Sequence, residues 1–286
     1  MNRNDRQTII FGLLGACMVI VLLTLVIILG SIIVNGLPML SWDFLTQSPE
    51  IDDTGAQTEG GIWGPLVGTF YLMLLVLVFA IPVGVLGTIF LVEYLGKYSW
   101  NRILWIVVNN LAGVPSIVYG LLGVALFVGY LEFGLSLIAA GLTLGLMILP
   151  VTMVATREAL EAVPQSLRDA SIALGATRWQ TMRHHTIPYS MSGVLTGVIL
   201  SLSRAAGETA PILVTGVVAT SAMPNSLLDS FQAMPYYIYI LVTQTANVDR
   251  AYAVAWGAAL VLVALVVGMN LAAIVIRKRY RKKYKW

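Results

Sequence analysis

The sequence is poor in charged residues, and this shortage excludes several classes of protein. Charged residues make up only 11% of the 286 residues, whereas an ordinary soluble domain carries about 25%. Hydrophobic residues make up 58%, and a soluble fold of this length could not bury so much apolar surface. The composition excludes a soluble enzyme, a disordered chain and a nucleic-acid-binding module. It indicates an integral membrane protein in contact with lipid.

Cysteine and histidine are also scarce. The one cysteine, Cys17, excludes a disulfide within the chain and a cysteine-based metal cluster. The two histidines, His184 and His185, are adjacent in sequence, so their side chains point in different directions around a helix. We therefore expect no metal site, no cofactor and no catalytic residue. The sequence also lacks a Gly-x-x-x-x-Gly-Lys-Ser/Thr phosphate loop, so the chain cannot itself be an ATPase.

Six apolar runs are long enough to cross a membrane, which takes about 20 residues of helix. Each run should be α-helical, because lipid offers no hydrogen bonds to the backbone. The sequence therefore predicts one all-α domain, residues 1–286, with six transmembrane helices. The predicted spans are roughly Ile9–Val34, Gly64–Leu91, Ile103–Tyr130, Leu135–Thr156, Tyr189–Thr215 and Ala251–Ile276.

The positive charges predict the orientation of these spans. Fifteen of the 17 Lys and Arg residues lie in the two tails and in the second-to-third and fourth-to-fifth loops, while Arg204 lies inside a span and Arg250 on the opposite side. Cytoplasmic loops carry an excess of Lys and Arg, so we place both termini in the cytoplasm. The opposite side holds an acidic loop, 35–61, and a stretch, 216–250, whose tyrosine run is either an interfacial aromatic belt or a docking surface.

The loop 157–188 has the sequence pattern of two short helices. Pro164 is typical of a first helical turn, and Gly175 of the left-handed residue just after a helix. Thr177 is a candidate N-cap for a second helix, which Pro188 would close. Four small or apolar side chains between Pro164 and Gly175 form a stripe at helical spacing: Leu167, Ala170, Ser171 and Leu174. This stripe either lies on the membrane or bundle, or docks into a groove of a separate cytoplasmic protein.

The series Asp169-Ala-Ser, with Gly175 and Pro188 downstream, resembles the EAA loop of ABC importer permeases. That loop reads Glu-Ala-Ala, three residues, Gly, nine residues, Ile, one residue, Leu-Pro. The present sequence departs from it most at His185. The resemblance implies that residues 157–188, called here the coupling loop, contact a cytoplasmic ATPase. The residues implied in that contact are Leu167, Asp169, Ala170, Ser171, Leu174 and Gly175.

Two further segments, Leu111–Leu121 and Ser203–Pro211, resemble the PstA-type permeases of bacterial phosphate importers. The resemblance implies the type I ABC importer permease fold, also called MetI-like, in the bacterial inner membrane. It also implies ATP-driven uptake of phosphate. The implied partners are a second homologous permease, two cytoplasmic ATP-binding subunits and an external phosphate-binding protein.

Other functions stay open at this point. A permease of the same fold for molybdate or sulfate is one alternative, since selectivity could reside in the external binding protein. An ATP-independent secondary transporter is another, although such proteins usually contain internal repeats or broken helices. The sequence pattern indicates neither of those features, and an intramembrane enzyme would require catalytic or haem-binding residues in the spans.

One ionisable pair lies within a predicted span. Arg204 and Glu208 are spaced i, i+4, and an intramembrane charge costs ~2.5–3.5 kcal/mol or more unless it faces protein or water. The pair is either structural or part of a substrate path. The Arg-before-Glu order is the weaker orientation for a helical ion pair, and the planar fork of arginine matches phosphate oxygens. With the family resemblance, this predicts that Arg204, Glu208 and Thr209 line the path.

Prolines in or near the spans have two interpretations. Proline frees a carbonyl and kinks a helix, which is compatible with ordinary bundle geometry or with a role of Pro115 and Pro211 in shaping a pore. Pro82 and Pro150 are the other two.

Overall fold

The computed structural model describes residues 3–51, 57–95, 98–219, 223–244 and 248–283. In chain order its helices are α1 (Arg3–Gly36), α2 (Trp42–Thr46), α3 (Trp63–Glu93), α4 (Ser99–Ala112), α5 (Ser116–Gly123), α6 (Leu137–Glu161), α7 (Gln165–Ala173), α8 (Arg178–Thr181), α9 (Ile187–Gly207), α10 (Ala210–Thr215), α11 (Met234–Thr243) and α12 (Val248–Lys283). A 3₁₀ turn (Leu37–Met39) follows α1, and π-helical segments follow α5 (Val124–Tyr130) and α8 (Met182–Thr186). Between α2 and α3, β1 (Pro49–Ile51) pairs antiparallel with β2 (Gln57–Gly60).

The predicted all-α membrane architecture is confirmed. Among the described residues, five helical segments are long and apolar enough to cross a membrane, and a bent pair makes a sixth. The five are Ile10–Met39, Trp63–Glu93, Leu137–Glu161, Arg178–Gly207 and Ala251–Arg279. The bent pair is Ser99–Ala112 with Ser116–Tyr130, and the chain direction bends by 101° between the two helical segments.

The prediction of one uninterrupted helix over Ile103–Tyr130 is therefore wrong. Pro115 precedes α5 in an extended conformation, with φ −57° and ψ 140°. Proline has no N–H to donate, and it disfavours helical geometry at the residue before it. The helix consequently stops at Ala112 and restarts at Ser116. The expectation that the chain has no broken helices is wrong for the same reason.

The predicted span Tyr189–Thr215 is also interrupted. α9 ends at Gly207, and Glu208 is extended, with φ −76° and ψ 129°. Helical structure resumes in α10, whose first turn contains Pro211. The two parts of this predicted span are therefore separate helices joined by a two-residue break.

At its other end, α9 begins earlier in the chain than the sequence predicts. Pro188 does not close the coupling loop, because helical structure continues from Arg178 to Gly207 through the π-helical segment. Pro188 lies in the first turn of α9, where the hydrogen bonding changes from π to α, and its missing N–H is tolerated there.

The core lies between α3, α6 and α9, and small residues let these helices approach closely. A Cβ added to Gly197 would lie 2.5 Å from the Cβ of Ala155, so α9 rests almost directly on α6. By contrast, α1 packs mainly against α12, and most of its large apolar side chains are exposed. α1 therefore has the character of a lipid-facing helix.

Candidate functional site

Arg204 and Glu208 lie on either side of the point where α9 ends. Arg204 occupies the last helical turn, and Glu208 follows it as the extended C-cap residue. The Nε atom of Arg204 lies 3.4 Å from Oε1 of Glu208, and the two side chains are 43% and 19% exposed. The two groups therefore meet, although not as two positions on one helical face, because Glu208 has left the helix.

This ion pair is the loosest among the described residues. Arg157 Nε lies 2.7 Å from Glu161, and Arg168 Nη1 lies 2.6 Å from Glu93. Strong charge-assisted N–H···O bonds measure about 2.7–2.9 Å. Within the described part of the chain, Glu208 is the sole hydrogen-bond acceptor of the Arg204 side chain. The two Nη groups of Arg204 are therefore available to an anion.

Thr209 lies in the same break. It is the N-cap residue of α10, but its side chain makes no capping hydrogen bond. Its backbone carbonyl accepts the N–H of Leu213 at 3.0 Å. Thr209 follows Glu208 directly in the chain, so all three predicted path residues lie at or next to the break.

The break between α9 and α10 lies close to the bend between α4 and α5. A Cβ added to Gly120 in α5 would lie 3.0 Å from the Cα of Pro211 in α10, so these two short helices are in direct contact. Tyr119 lies near enough to Arg204 to interact with its charge, and the Tyr119 hydroxyl donates to the carbonyl of Leu111 at 2.9 Å. The interrupted parts of the two spans are therefore in contact with each other near Arg204.

Polar contacts fix the end of α9 against its neighbours. Ser203 Oγ donates to Oδ1 of Asn270 in α12 at 2.6 Å, and the buried hydroxyls of Ser201 and Thr152 lie 2.9 Å apart. These bonds set the rotation of α9 and hence the direction in which Arg204 points. Sequence analysis missed Asn270, for which a lone amide within an apolar span was the available signal.

The coupling loop has the turn chemistry that its sequence indicates. Gly175 adopts a left-handed conformation, with φ +87°, just after α7. Thr177 caps α8 through a capping box, in which its hydroxyl accepts the N–H of Gln180 and the Gln180 side chain accepts the N–H of Thr177. Two tight turns therefore hold α7 and α8 in fixed directions.

The predicted stripe on α7 does not form a single buried face. Leu167 is half-buried, and Ser171 is buried with its hydroxyl 2.9 Å from that of Thr181. Ala170 and Leu174 are exposed instead. The helix is rotated so that Leu167 and Ser171 face the protein while the other two members of the stripe face outward.

The outward face of the coupling loop combines acid and apolar groups. Leu174 is 90% exposed, and Trp179 also presents an exposed ring. Asp169, Ala170 and Gly175 are exposed as well. Large apolar side chains exposed together with polar groups are typical of a surface that binds a partner protein. This face is therefore available for a partner protein.

Arg168 joins the coupling loop to a distant helix, a contact that sequence analysis missed. Its Nη1 lies 2.6 Å from Oε1 of Glu93 at the end of α3, and its Nη2 donates to the carbonyl of Leu160 at 2.7 Å. The Arg168 and Glu93 side chains are only 14% and 19% exposed. A cavity of about 530 Å³ adjoins this pair, and its other lining residues include Tyr98 and Arg178.

A smaller polar cavity of about 310 Å³ lies along α4, where Arg102 and Asn109 contribute to its lining. The guanidinium of Arg157 lies 4.4 Å from the centre of the Trp105 ring in the same cavity. Among the described residues, no group of three His, Cys, Asp or Glu side chains could hold a metal ion.

Comparison with known proteins places the chain among membrane transport subunits. Residues 60–284 match the family described as "Binding-protein-dependent transport system inner membrane component". A phosphate transport system permease protein, PstA 1, of Mycobacterium tuberculosis is 38% identical over 222 residues, which cover 77% of this chain and 72% of the relative. A probable ABC transporter permease protein, YqgI, of Bacillus subtilis is 32% identical over 285 residues, covering 96% of this chain and 95% of the relative.

Solved structures agree in fold. A chain of a bacterial alginate ABC transporter, in complex with an alginate-bound periplasmic protein, superposes with a TM-score of 0.69 at 14% identity, covering 96% of each chain. The predicted importer-permease fold is confirmed by this match together with the family match. The chain belongs to the family of binding-protein-dependent transport system inner membrane components.

Proposed function

We propose that the chain is the transmembrane permease subunit of an ATP-driven importer that moves inorganic phosphate into the cytoplasm. The PstA 1 relative, which is named for phosphate transport, supports the substrate class. The observation that carries the proposal is the loose Arg204–Glu208 pair, 3.4 Å apart at the end of a broken helix. The permanently charged guanidinium of Arg204 is therefore half-exposed within the membrane-spanning part of the protein.

The chemistry of this pair suits a transported oxyanion. An anion entering a low-dielectric region needs a compensating positive charge, and arginine supplies one that stays charged at any physiological pH. Two free Nη groups can bind two phosphate oxygens together. The adjacent carboxylate of Glu208 reduces the net positive charge, so the anion is held weakly enough to leave. Thr209, the next residue along the chain, is proposed to contribute its hydroxyl to the same path.

The coupling loop is proposed to contact the ATPase. The exposed face around Asp169, Ala170 and Leu174 has the mixed acid and apolar character of a helix that docks into a groove. In this arrangement the loop and both termini lie in the cytoplasm, in agreement with the distribution of Lys and Arg. The partners are a second homologous permease, two ATP-binding subunits that carry out hydrolysis, and an external phosphate-binding protein.

The alternative functions, a carrier that works alone and a permease for another oxyanion, differ in how well they agree with these observations. A carrier that works alone disagrees with a family that is dependent on a binding protein. Transport of sulfate or molybdate within the same fold requires a direct test, since a single arginine can bind any of these oxyanions.

Reconstitution of the complete complex in proteoliposomes tests the proposal. We expect ATP-dependent uptake of labelled phosphate in preference to sulfate and molybdate. Arg204→Gln should lower the uptake rate by about tenfold or more, since hydrogen bonds to charged groups contribute about 1.5–3 kcal/mol. Arg277→Gln is the control, because it also removes a hydrogen-bonded arginine, at a position outside the helix break and the coupling loop. Normal uptake by the Arg204→Gln complex, or uptake that persists without ATP, would contradict the proposal.

A further inference from the structure

α7 is held to the rest of the protein by few contacts. Of its nine residues, three are not exposed: Leu167, Arg168 and Ser171. Ser171 contacts Thr181, which belongs to the next helix along the chain. Arg168 instead contacts Glu93, which is 75 residues away in sequence at the end of α3. Among the described residues, Arg168–Glu93 is the ion pair that joins α7 to a transmembrane helix outside the coupling loop.

The space beside this pair is hollow. The cavity of about 530 Å³ is lined both by α7, through Gln165 and Ile172, and by the end of α3, through Val92. A cavity removes the van der Waals contacts that would otherwise join two surfaces. Relative motion of α7 and α3 is therefore resisted mainly by the ion pair, while the bond from Arg168 to Leu160 joins α7 to α6.

We propose that Glu93 and Arg168 form a clamp that transmits movement of the coupling loop to α3, so that both are positioning residues for the coupling of ATP hydrolysis to transport. This inference rests on the proposed function, because it takes the outward face of α7 as the ATPase contact. Arg168 lies on the partly buried side of α7, whereas Asp169 and Ala170 are exposed, because successive residues turn by about 100° around a helix. A force on the exposed side is therefore transmitted through α7 to Arg168.

Stability alone is a weak reason for this arrangement. Desolvation offsets much of the attraction in a partly buried ion pair, and the Nε of Arg168 is buried without a hydrogen-bond partner in the described structure. The geometry is nevertheless specific: the guanidinium bridges a carboxylate on α3 and a carbonyl on α6 at the same time. Because Arg168 links α7 to both α3 and α6, these three elements are expected to move together.

The test uses the whole complex, reconstituted with its binding protein, and two variants. Glu93→Gln keeps the shape of the side chain but removes its charge. Arg168→Lys keeps the charge but loses the planar fork that reaches both acceptors. We expect both complexes to assemble and to hydrolyse ATP. Phosphate moved per ATP, and the stimulation of hydrolysis by the loaded binding protein, should each fall by about tenfold for Glu93→Gln, the loss that corresponds to one charge-assisted hydrogen bond. They should fall less for Arg168→Lys.

The control is Glu132→Gln, which removes the charge of an exposed glutamate outside the coupling loop and should change neither ratio. Unchanged ratios in assembled Glu93→Gln complex would overturn the clamp, and so would failure of both variants to assemble, which would assign the pair a structural role. A wild-type complex that hydrolyses ATP without importing phosphate would overturn the proposed function alone. The clamp would then be judged from the stimulation of hydrolysis by the binding protein.

Discussion

Glu208→Gln provides a test of the idea that this carboxylate weakens anion binding. Removing its negative charge should strengthen phosphate binding at Arg204 and slow the release of phosphate. Two charges about 4 Å apart interact by about 4 kcal/mol at an effective dielectric of 20. Because the Arg204 side chain is 43% exposed, solvent screening reduces this to about 1 kcal/mol. That energy corresponds to a Kd about fivefold lower and to a turnover lower by a similar factor.

The binding half of this prediction is measured with the purified permease–ATPase core, without ATP and without binding protein, by equilibrium binding of labelled phosphate. Turnover is measured in proteoliposomes with saturating loaded binding protein, so that passage through the permease limits the rate. Glu161→Gln controls for the loss of a glutamate from an i, i+4 pair. A Kd for Glu208→Gln that equals or exceeds the wild-type value would refute the reasoning, as would an unchanged turnover.

Two further predictions concern the coupling loop. Gly175→Ala should destabilise the loop by about 1 kcal/mol through backbone strain alone, because φ is +87° and an added Cβ would meet no other atom. The complex should therefore retain less ATPase subunit during purification. The control Gly134→Ala, with φ +65° and similar open space, should lower thermal stability but not retention of the ATPase subunit. Equal retention by the two variants would contradict this. Leu174→Ser should leave the melting temperature of the permease unchanged, because the side chain is 90% exposed, but should weaken ATPase binding in a pull-down; undiminished binding would show that this face is not the contact.

Hydropathy was sufficient to predict the fold class because lipid leaves the backbone no partner outside its own helix. Local turn chemistry was equally informative where few residues determine the conformation. Gly175 was expected in a left-handed conformation and Thr177 as an N-cap, and both are found so. These positions depend on their immediate neighbours, and their sequence therefore carries the necessary information.

The broken helices could not be predicted in the same way. Pro115 and Pro211 were recognised, but a proline within a span can bend a helix or end it. The outcome depends on where the freed backbone groups find partners and on how α10 packs against Gly120. That packing is a property of the folded bundle and is not visible in either segment alone.

Contacts between residues far apart in the sequence could not be predicted either, because they also depend on how the helices pack. Glu93 looks like an ordinary charge at the end of a span and Arg168 like an ordinary charge in a polar loop, and nothing in the sequence relates them across 75 residues. Their contact also sets the rotation of α7, which explains why Leu167 and Ser171 turn inward while Ala170 and Leu174 do not. Spacing predicts which side chains share a face, but it does not predict which way that face points.

The unbroken helical segment from Arg178 to Gly207 has a mechanical consequence. It acts as a rigid shaft whose lower end carries Thr181, beside α7, and whose upper end carries Arg204. At 1.5 Å per residue, the shaft spans about 35 Å between these two residues. A twist of about 20° applied at the lower end would swing a side chain at a radius of about 6 Å sideways by about 2 Å. A small rotation at one end would thus redirect the guanidinium at the other, and the Ser201–Thr152 and Ser203–Asn270 hydrogen bonds would have to rearrange with it.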